Sequence, residues 1–499
     1  MKLTTQKNDL PFTRRYIVQS NAARLSWIVI LLLAFTIAYG FWGFSYDDNF
    51  ITYRYAKNML QGHGLVYNQG ERVFGSSAPG YALLLAGCAT LGRPLGLEVP
   101  SCGTMSSLIA LLITLAVFYN YLAHYSYRAL FTLLLAAIIF TSPLTLYLLG
   151  SEMFLVLALI VSASYFLYTG NQPAIAGLLA GLAMCIRLDA GLAVAALGGV
   201  AWQQQSRFPR TYALTTSLML GGALVLLSVY YGTLIPNTLS GKTALREVPH
   251  LLRLWQLLTM SLSTSGAVIV LLGALGGLVA GWVHRLYRQP MILALGLWVI
   301  AHEALYVWLN VWFAPWYHVY SWVGLIALFL WGSFNLANWL IQDRRPFFIK
   351  LGQLYFAVFI GLTTMLVLLP ATVKLSDQWA TPPDPRNRVY REVGYFIQQN
   401  TPTSSRILAM EIGVLGYHAE RTILDMGGLV SPAFTEAKFS GSRAALAAEL
   451  RPDIVIKTDN DVLISDMLKH NQIKTVYTTM TVFTDKNFPT VTVLKYVPQ

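Results

Sequence analysis

Charge and cysteine are both scarce in this chain. Of its 499 residues only 12% are charged, against roughly 25% in an ordinary soluble domain. The 3 cysteines, Cys88, Cys102 and Cys185, lie in apolar stretches without zinc-type spacing, so we expect packing residues rather than a disulfide framework or a metal site. Hydrophobic residues make up 55% of the chain, with several runs of about 18 or more. This composition excludes an ordinary soluble enzyme and predicts a polytopic α-helical membrane protein.

About 11 membrane-spanning helices are predicted within residues 1–373. They lie near 25–44, 101–123, 128–149, 152–170, 173–187, 189–203, 211–231, 264–283, 290–309, 318–340 and 347–370. The apolar stretch 81–91 is too short to cross a hydrocarbon core of about 30 Å. Residues 374–389 form a Pro-rich break and predict a linker. Residues 390–499 alternate helix-like and strand-like patterns, which predicts a small soluble α/β domain.

The formal charge of +12 is a topology signal. If the N-terminus lies inside, the predicted inner segments hold thirteen basic and two acidic residues, which accounts for +11 of the +12. This is the positive-inside pattern of membrane proteins, and it argues against a nucleic-acid partner. No small-residue cleavage site follows the first apolar run, so we expect a retained anchor. We predict a multi-pass protein of the bacterial plasma (inner) membrane, with a cytoplasmic N-terminus and an extracytoplasmic C-terminal domain.

The same topology gathers the polar segments of the membrane half on one outer face. These segments are the loop 45–100, the corners 150–152 and 187–189, the loop 232–263 and residues 310–318. The inner loops are short by comparison. A chemical site is therefore expected outside.

Two adjacent carboxylates, Asp47 and Asp48, follow the first predicted span directly. Acidic residues near low dielectric are costly and mark functional sites. They could accept a proton from a hydroxyl nucleophile or hold a divalent cation, or they could be a solvated helix N-terminus. Successive helical residues point about 100° apart, so the two are not expected to share one role. We prefer Asp47 as the base, with Asp48 orienting acceptor or metal, and leave the reverse assignment open.

The outer segments carry a series of motifs in a fixed order. The loop reads DDNFITYRYAKN at 47–58, GHGLVYN at 62–68 and GERVFGSS at 70–77. Later come SP at 142–143 before GSE at 150–152, IRLDAG at 186–191, YYGTLIPNT at 230–238, GVLGY at 413–417 and ILDMGGLVSP at 423–432. Together they resemble the GT-C superfamily of membrane glycosyltransferases. The likeness is closest to the arabinofuranosyltransferase-type members and more distant to protein mannosyltransferases and lipid A aminoarabinose transferases.

The resemblance implies a donor sugar on a polyprenyl phosphate and a hydroxyl acceptor on a cell-envelope glycan, lipid or protein. It implies inversion at the anomeric carbon, an acidic base from the first outer loop, and arabinofuranose as the specific guess for the sugar. No cofactor is required by it. A divalent cation stays open, with Asp47 and Asp48 as its ligands.

Basic residues are needed because the departing lipid phosphate builds negative charge. The donor-binding candidates on the outer face are Lys242, Arg187, His318, Arg54 and Tyr317, and the supporting candidates are Glu152, Asp189 and Asn237. Each has a plainer explanation: Lys242 could snorkel to headgroups, Arg187 could pair with Asp189, and Arg54 could be a solvated helix charge. His318 could belong to an interfacial aromatic belt. Leu188 and the Tyr317-His318 pair depart from the family pattern.

Two other classes of protein compete with a transferase. A flippase or transporter for lipid-linked sugars should show internal repeats and polar groups at mid-membrane, and the sequence shows no repeat. An O-antigen ligase or polymerase also uses lipid-linked glycans, but would be expected to carry a large late outer loop instead of acids after the first span.

Overall fold

The computed structural model describes residues 12–238, 266–279, 289–309, 315–342, 345–380, 384–469 and 476–497. Within these ranges the N-terminal part is helical. Its first ten helices are α1 Phe12–Gly40, α2 Asp47–Leu60, α3 Pro79–Leu91, α4 Val99–Tyr121, α5 Arg128–Thr141, α6 Pro143–Leu148, α7 Met153–Tyr168, α8 Pro173–Ile186, α9 Gly191–Gln205 and α10 Arg210–Tyr231. Five more follow: α11 Gly266–Val279, α12 Pro290–Leu309, α13 Val319–Gln342, α14 Pro346–Thr363 and α15 Leu369–Ala380.

Six stretches of helix in the described residues are long and apolar enough to cross a membrane. They are Asn21–Gly40, Val99–Tyr121, Arg210–Tyr231, Pro290–Trp308, Val319–Gln342 and Pro346–Trp379. Helices α5, α7, α8, α9 and α11 coincide with the other five predicted spans but have fewer than 18 residues each. The polytopic helical membrane fold is thus confirmed, and the count of about 11 spans stays a prediction.

Proline accounts for two departures from the predicted spans. The span 128–149 is broken into α5 and α6, where Ser142 leaves the helical conformation and its Oγ accepts the Leu144 N–H at 3.2 Å. Pro143 then begins the next helix, a position that tolerates its missing N–H. At the other site a π-helical segment, Thr364–Leu368, precedes Pro370. A proline inside a helix removes a hydrogen bond and displaces the preceding turn.

The predicted linker 374–389 is mostly helical, which corrects that prediction. Helix α15 continues to Ala380, and the next helix already begins at Pro385, where Asp384 accepts the Arg386 N–H at 3.0 Å. The proline-rich composition therefore marks a helix start as much as a break.

The prediction that all three cysteines are packing residues is also wrong. Cys88 near the end of α3 and Cys102 at the start of α4 form a disulfide, and Cys185 is free. The short turn between α3 and α4 places the two Cα atoms 6.0 Å apart, within the range that a disulfide requires. Disulfides form in oxidising compartments, which supports the predicted outer location of this hairpin.

The C-terminal residues form the expected α/β domain. Its helices are α16 Pro385–Asn400, α17 Gly413–Ala419, α18 Pro432–Ser440, α19 Arg443–Leu450 and α20 Val462–Lys469. Its strands are β1 Arg406–Ala409, β2 Thr422–Asp425, β3 Ile454–Thr458, β4 Tyr477–Asp485 and β5 Phe488–Tyr496, in the order β2-β1-β3-β5-β4. Strand β1 runs parallel to β2 and β3, while β5 is antiparallel to β3 and β4.

This domain packs directly on α2 and the first outer loop. Phe50 of α2 and Tyr67 of the loop belong to the same buried apolar cluster as Val414 and Leu415 of α17. The Tyr67 hydroxyl donates to the Ile412 carbonyl at 2.6 Å. The C-terminal domain is therefore packed directly against the membrane half.

Candidate active site

Asp47 is buried against the C-terminal domain. Its Oδ2 accepts the Gly413 N–H at 3.1 Å and its Oδ1 accepts the Val414 N–H at 2.9 Å, so one carboxylate caps the start of α17. The side chain is 1% exposed. A Cβ at Gly413 would collide with the Asp47 backbone, which explains the glycine there. Asp47 thus joins α2 to the domain that follows it by more than 300 residues.

The surroundings of Asp47 favour its neutral form. Burial raises the pKa of the Asp47 carboxyl to about 8, and the negative charge of Glu411 adds to this, while Arg386 opposes it. The Arg386 guanidinium pairs with Asp384 at 3.0 Å and with Glu411 at 3.1 Å. Burial likewise raises the pKa of Glu411. The group is a partly desolvated cluster of three acids around one arginine.

Asp48 lines a cavity that we call the Asp48 cavity. Residues from the segments 48–52, 75–77 and 147–153 line it as well, together with Arg187, Thr238 and Leu429. Within the described residues, the Asp48 carboxylate has no ion-pair or hydrogen-bond partner. Four segments predicted for the outer face therefore meet at one place, and Leu429 shows that the C-terminal domain closes it.

An ion-pair network contributes Glu152 and Arg187 to the lining of the Asp48 cavity. Arg187 Nη1 lies 2.7 Å from Glu152 Oε1, and its Nη2 lies 2.8 Å from Asp189 Oδ2. Tyr306 donates its hydroxyl proton to Asp189 Oδ2 at 2.7 Å and lies 3.2 Å from Arg187 Nη2. The side chains of Glu152 and Arg187 are 8% and 9% exposed. Their mutual neutralisation is what permits this burial, since an unpaired charge would be costly there.

Tyr317 and His318 lie behind this network. The Tyr317 ring stacks on Tyr306 with centroids 4.4 Å apart. His318 Nδ1 lies 2.8 Å from Glu303 Oε2, and the Ser321 hydroxyl also donates to Glu303. Both side chains are buried, and neither lines the Asp48 cavity. Their predicted contact with the donor stays a prediction, and of the two it is Tyr317 that contacts the network, through Tyr306.

Arg54 is placed differently from the expectation. It is 5% exposed and donates to the carbonyls of Gly416 at 2.9 Å and Arg421 at 2.6 Å. Its guanidinium also lies 4.2 Å from the centre of the Tyr67 ring. It is neither a solvated helix charge nor a lining residue of the Asp48 cavity, because the C-terminal domain covers this face of α2. The contacts of Arg54 hold that domain, and its predicted role in binding the donor stays a prediction.

Asn237 connects three segments near the Asp48 cavity, and its predicted supporting role stays a prediction. Its Nδ2 donates to the Gly428 carbonyl at 2.7 Å and the Leu429 carbonyl at 3.1 Å, and its backbone N–H donates to the Phe74 carbonyl. It thereby holds three parts of the cavity rim together: the end of α10, the first outer loop and the C-terminal domain. Lys242 lies outside the described residues.

The described residues contain no group of three or more His, Cys, Asp or Glu arranged to hold a metal ion. Each oxygen of Asp47 accepts one backbone N–H group, and a cation held by Asp47 and Asp48 together stays a prediction. A cation bound to Asp48 with substrate oxygens stays a prediction.

Sequence reasoning missed Tyr306, Glu411, Arg386 and Leu429. Tyr306 lies four residues after His302 on one face of α12, a spacing that could have suggested a shared polar face. For Glu411 and Arg386 no local signal exists, since only the docking of the C-terminal domain brings them near Asp47.

Comparisons with known proteins bear on the fold and on part of the chain. Residues 378–494 match the family described as a domain of unknown function, DUF8728. No curated protein matches. Among solved structures, ArnT from Cupriavidus metallidurans bound to undecaprenyl phosphate is similar with a TM-score of 0.58 at 12% identity, covering 95% of this chain and 99% of that one. Its apo state gives 0.57 at 13% identity, covering 94% and 98%.

An oligosaccharyltransferase from Archaeoglobus fulgidus, tethered to an acceptor peptide, is similar with a TM-score of 0.54 at 12% identity. The alignment covers 96% of this chain and 74% of that one. ArnT is an aminoarabinose transferase, and both are GT-C proteins. This chain is therefore a membrane protein with the GT-C fold. A particular closeness to the arabinofuranosyltransferases is not confirmed by these structures and stays a prediction.

Proposed function

We propose that the protein is a glycosyltransferase that moves one sugar from a polyprenyl-phosphate donor to a hydroxyl acceptor of the cell envelope at the outer membrane face. The observation that carries this proposal is the Asp48 cavity, where a carboxylate without a partner among the described residues lines the same cavity as the Glu152-Arg187 ion pair. The GT-C fold, shared with an ArnT structure bound to undecaprenyl phosphate, supports a lipid-linked donor.

Asp48 is the general base in this proposal, which reverses the preference drawn from the sequence. A base must reach the hydroxyl proton of the acceptor, and Asp48 lines the cavity whereas Asp47 is occupied by two backbone N–H groups. An ionised Asp48 takes the acceptor proton as the hydroxyl oxygen attacks the anomeric carbon from the face opposite the phosphate. Its charge also stabilises the oxocarbenium-like transition state.

Arg187 contributes the positive charge of the cavity lining. Its Nε and Nη2 are held by Asp189 and its Nη1 by Glu152, so the guanidinium is fixed in orientation before substrate arrives. Each terminal nitrogen of a guanidinium carries two N–H groups, which leaves Nη1 a donor for a phosphate oxygen. Such pre-organisation is how a charged wall lowers a transfer barrier.

The test is sugar transfer by purified protein with a panel of polyprenyl-phosphate sugars, arabinofuranose among them, and a panel of hydroxyl acceptors. Asp48→Asn should lower kcat by about 10²- to 10⁴-fold and leave the fold intact. Asp466→Asn, at an exposed helix position paired only with Lys469, is the matched control. The anomeric configuration of the product, read by NMR, tests inversion.

Full turnover by Asp48→Asn would remove this carboxylate as the base. Loss of turnover in Glu152→Gln together with an active Asp48→Asn would move the role to the other cavity carboxylate. Movement of intact donor across a vesicle membrane without any transfer would favour the flippase class instead.

A further inference from the structure

The C-terminal domain reaches the Asp48 cavity through one short loop, residues 425–431, which we call the Asp425 loop. Leu429 is the one residue of this loop among those that line the cavity. Gly428 and Val430 on either side are buried, while Leu429 is half-buried and packs against the buried apolar cluster. The loop therefore places one apolar residue at a cavity whose other walls carry Asp48, Glu152 and Arg187.

Hydrogen bonds within the Asp425 loop fix its backbone conformation. Asp425 is fully buried, and its two oxygens accept the N–H groups of Gly427 at 2.8 Å and Val430 at 2.9 Å. Gly428 has a φ of +85°, a conformation that side chains rarely adopt. A Cβ there would also press on Thr435 at 3.0 Å. The position of Leu429 is thus fixed by its own loop before any ligand binds.

The membrane half holds the same loop from outside. The Asn237 side-chain amide donates to the carbonyls of Gly428 and Leu429. Gly75 of the first outer loop lies so close that a Cβ there would sit 2.8 Å from Val430 and 3.0 Å from the Leu429 carbonyl. Two separate segments of the membrane half, one at Gly75 and one at Asn237, therefore contact the Asp425 loop and hold Leu429 at the cavity.

We propose that Leu429 is a specificity-determining residue, which sets the size and the substitution of the sugar ring that occupies the Asp48 cavity. This inference rests on the proposed transfer function. An apolar wall makes van der Waals contact with the C–H face of a ring and offers no partner to a hydroxyl or charged substituent, which would lose its hydration there. A rigid wall discriminates by size better than a mobile one, because it cannot yield to a larger group.

The proposal puts a sugar ring in this cavity and leaves open whether the ring belongs to donor or acceptor. The experiment separates the two by varying one substrate at a time. Wild type and Leu429→Ala are compared first with a donor panel of increasing ring size and substitution at constant acceptor, then with an acceptor panel at constant donor. Binding of each sugar substrate is measured in parallel by native mass spectrometry.

Leu429→Ala removes three carbon atoms from the wall. We expect the kcat/KM ratio of bulkier over smaller sugars to rise about tenfold or more, in the panel whose sugar contacts Leu429. Leu429→Met, of similar volume, should keep the wild-type ratio to within a few fold. Phe439→Ala truncates an exposed side chain of the same domain and should leave the ratio unchanged.

The outcomes are distinguishable. If wild type transfers sugar and Leu429→Ala keeps the wild-type preference in both panels, this inference is wrong and the proposed function stands. A uniform fall in kcat/KM for all sugars also contradicts it, since that result indicates only a structural role. If wild type neither binds nor transfers any sugar, both proposals fall.

Discussion

Substitution of Asp47 separates docking of the C-terminal domain from catalysis. In Asp47→Ala the N–H groups of Gly413 and Val414 both lose their acceptor while α2 still covers them. A buried donor left without a partner costs about 1–3 kcal/mol, so docking of the domain should weaken by roughly 2–6 kcal/mol. Asp47→Asn keeps one carbonyl oxygen and should lose about half as much.

The assay is amide hydrogen exchange in detergent, read at residues 413 and 414. In wild type these amides should exchange slowly, and in Asp47→Ala their exchange should rise at least thirtyfold, the ratio that corresponds to about 2 kcal/mol. Asp466→Ala is the control in the same domain. Unchanged protection in Asp47→Ala would refute the docking role. A folded, protected Asp47→Asn without any transfer activity would return the base to Asp47.

The pH dependence of stability provides a second test of Asp47. The pKa of Asp47 is raised from 3.8 to about 8 by burial and by Glu411, so the folded state binds this proton more tightly than the unfolded state does. The contribution of Asp47 to stability is therefore present below pH 4 and is lost as pH rises towards 8, with a slope of at most ~1.4 kcal/mol per unit. Above about pH 8 the slope should vanish. The difference between wild type and Asp47→Asn should show this profile.

Three further substitutions test the cavity wall and its supports. Arg187→Lys loses the planar guanidinium that joins Glu152 and Asp189. In the transfer assay kcat should fall at least tenfold with little change in the KM for the acceptor, and an unchanged kcat would exclude a role for the guanidinium. Cys88→Ser removes the disulfide to Cys102, 14 residues away, and the free energy of unfolding, measured by thermal unfolding in detergent, should fall by about 3 kcal/mol. Equal unfolding midpoints of wild type and Cys88→Ser would contradict a stabilising disulfide. Asn237→Ala frees the carbonyls of Gly428 and Leu429, and the sugar preference should broaden; an unaltered preference would show that the Asp425 loop holds its own position.

The helical part of the fold and the meeting of its outer segments could be predicted from the sequence. Apolar runs indicate membrane helices directly, while the side on which each loop falls rests on the basic residues alone and stays a prediction. Which of Asp47 and Asp48 contacts the C-terminal domain and which lines the cavity could not be predicted in this way. Two adjacent helical residues point about 100° apart, and which of them faces a cavity depends on what packs against the helix.

Here the covering element is α17, more than 300 residues later in the chain. Its docking turns Asp47 and Arg54 from apparent surface charges into buried contacts. The disulfide was missed for a related reason. Cys88 and Cys102 lie on two helices that come together through the turn between them, and the sequence alone does not reveal this contact. Non-local packing therefore decides the details of the candidate site, while local patterns decide the architecture.

The charges of the Asp48 cavity lead to one last prediction. Among the described residues that line it, Arg187 is the sole basic side chain, and the two carboxylates of Glu152 and Asp189 outweigh its single charge. An ionised Asp48 would add a further negative charge, yet the leaving group of the proposed reaction is a lipid phosphate. A phosphate that gains charge beside uncompensated carboxylates is strongly disfavoured at low dielectric, so a further cation is required.

Two sources of that cation follow from the sequence: Lys242, four residues after the cavity residue Thr238 and hence within about 14 Å of it along the chain, or a divalent ion. We expect Lys242→Ala to lower kcat at least a hundredfold and Lys242→Arg to retain most of it, because the requirement is for charge near the phosphate. The transfer assay with and without a chelator decides between the sources. Full activity of Lys242→Ala together with complete loss in chelator would assign the charge to a metal ion. Full activity under both conditions would refute the electrostatic argument and, with it, phosphate departure from this cavity.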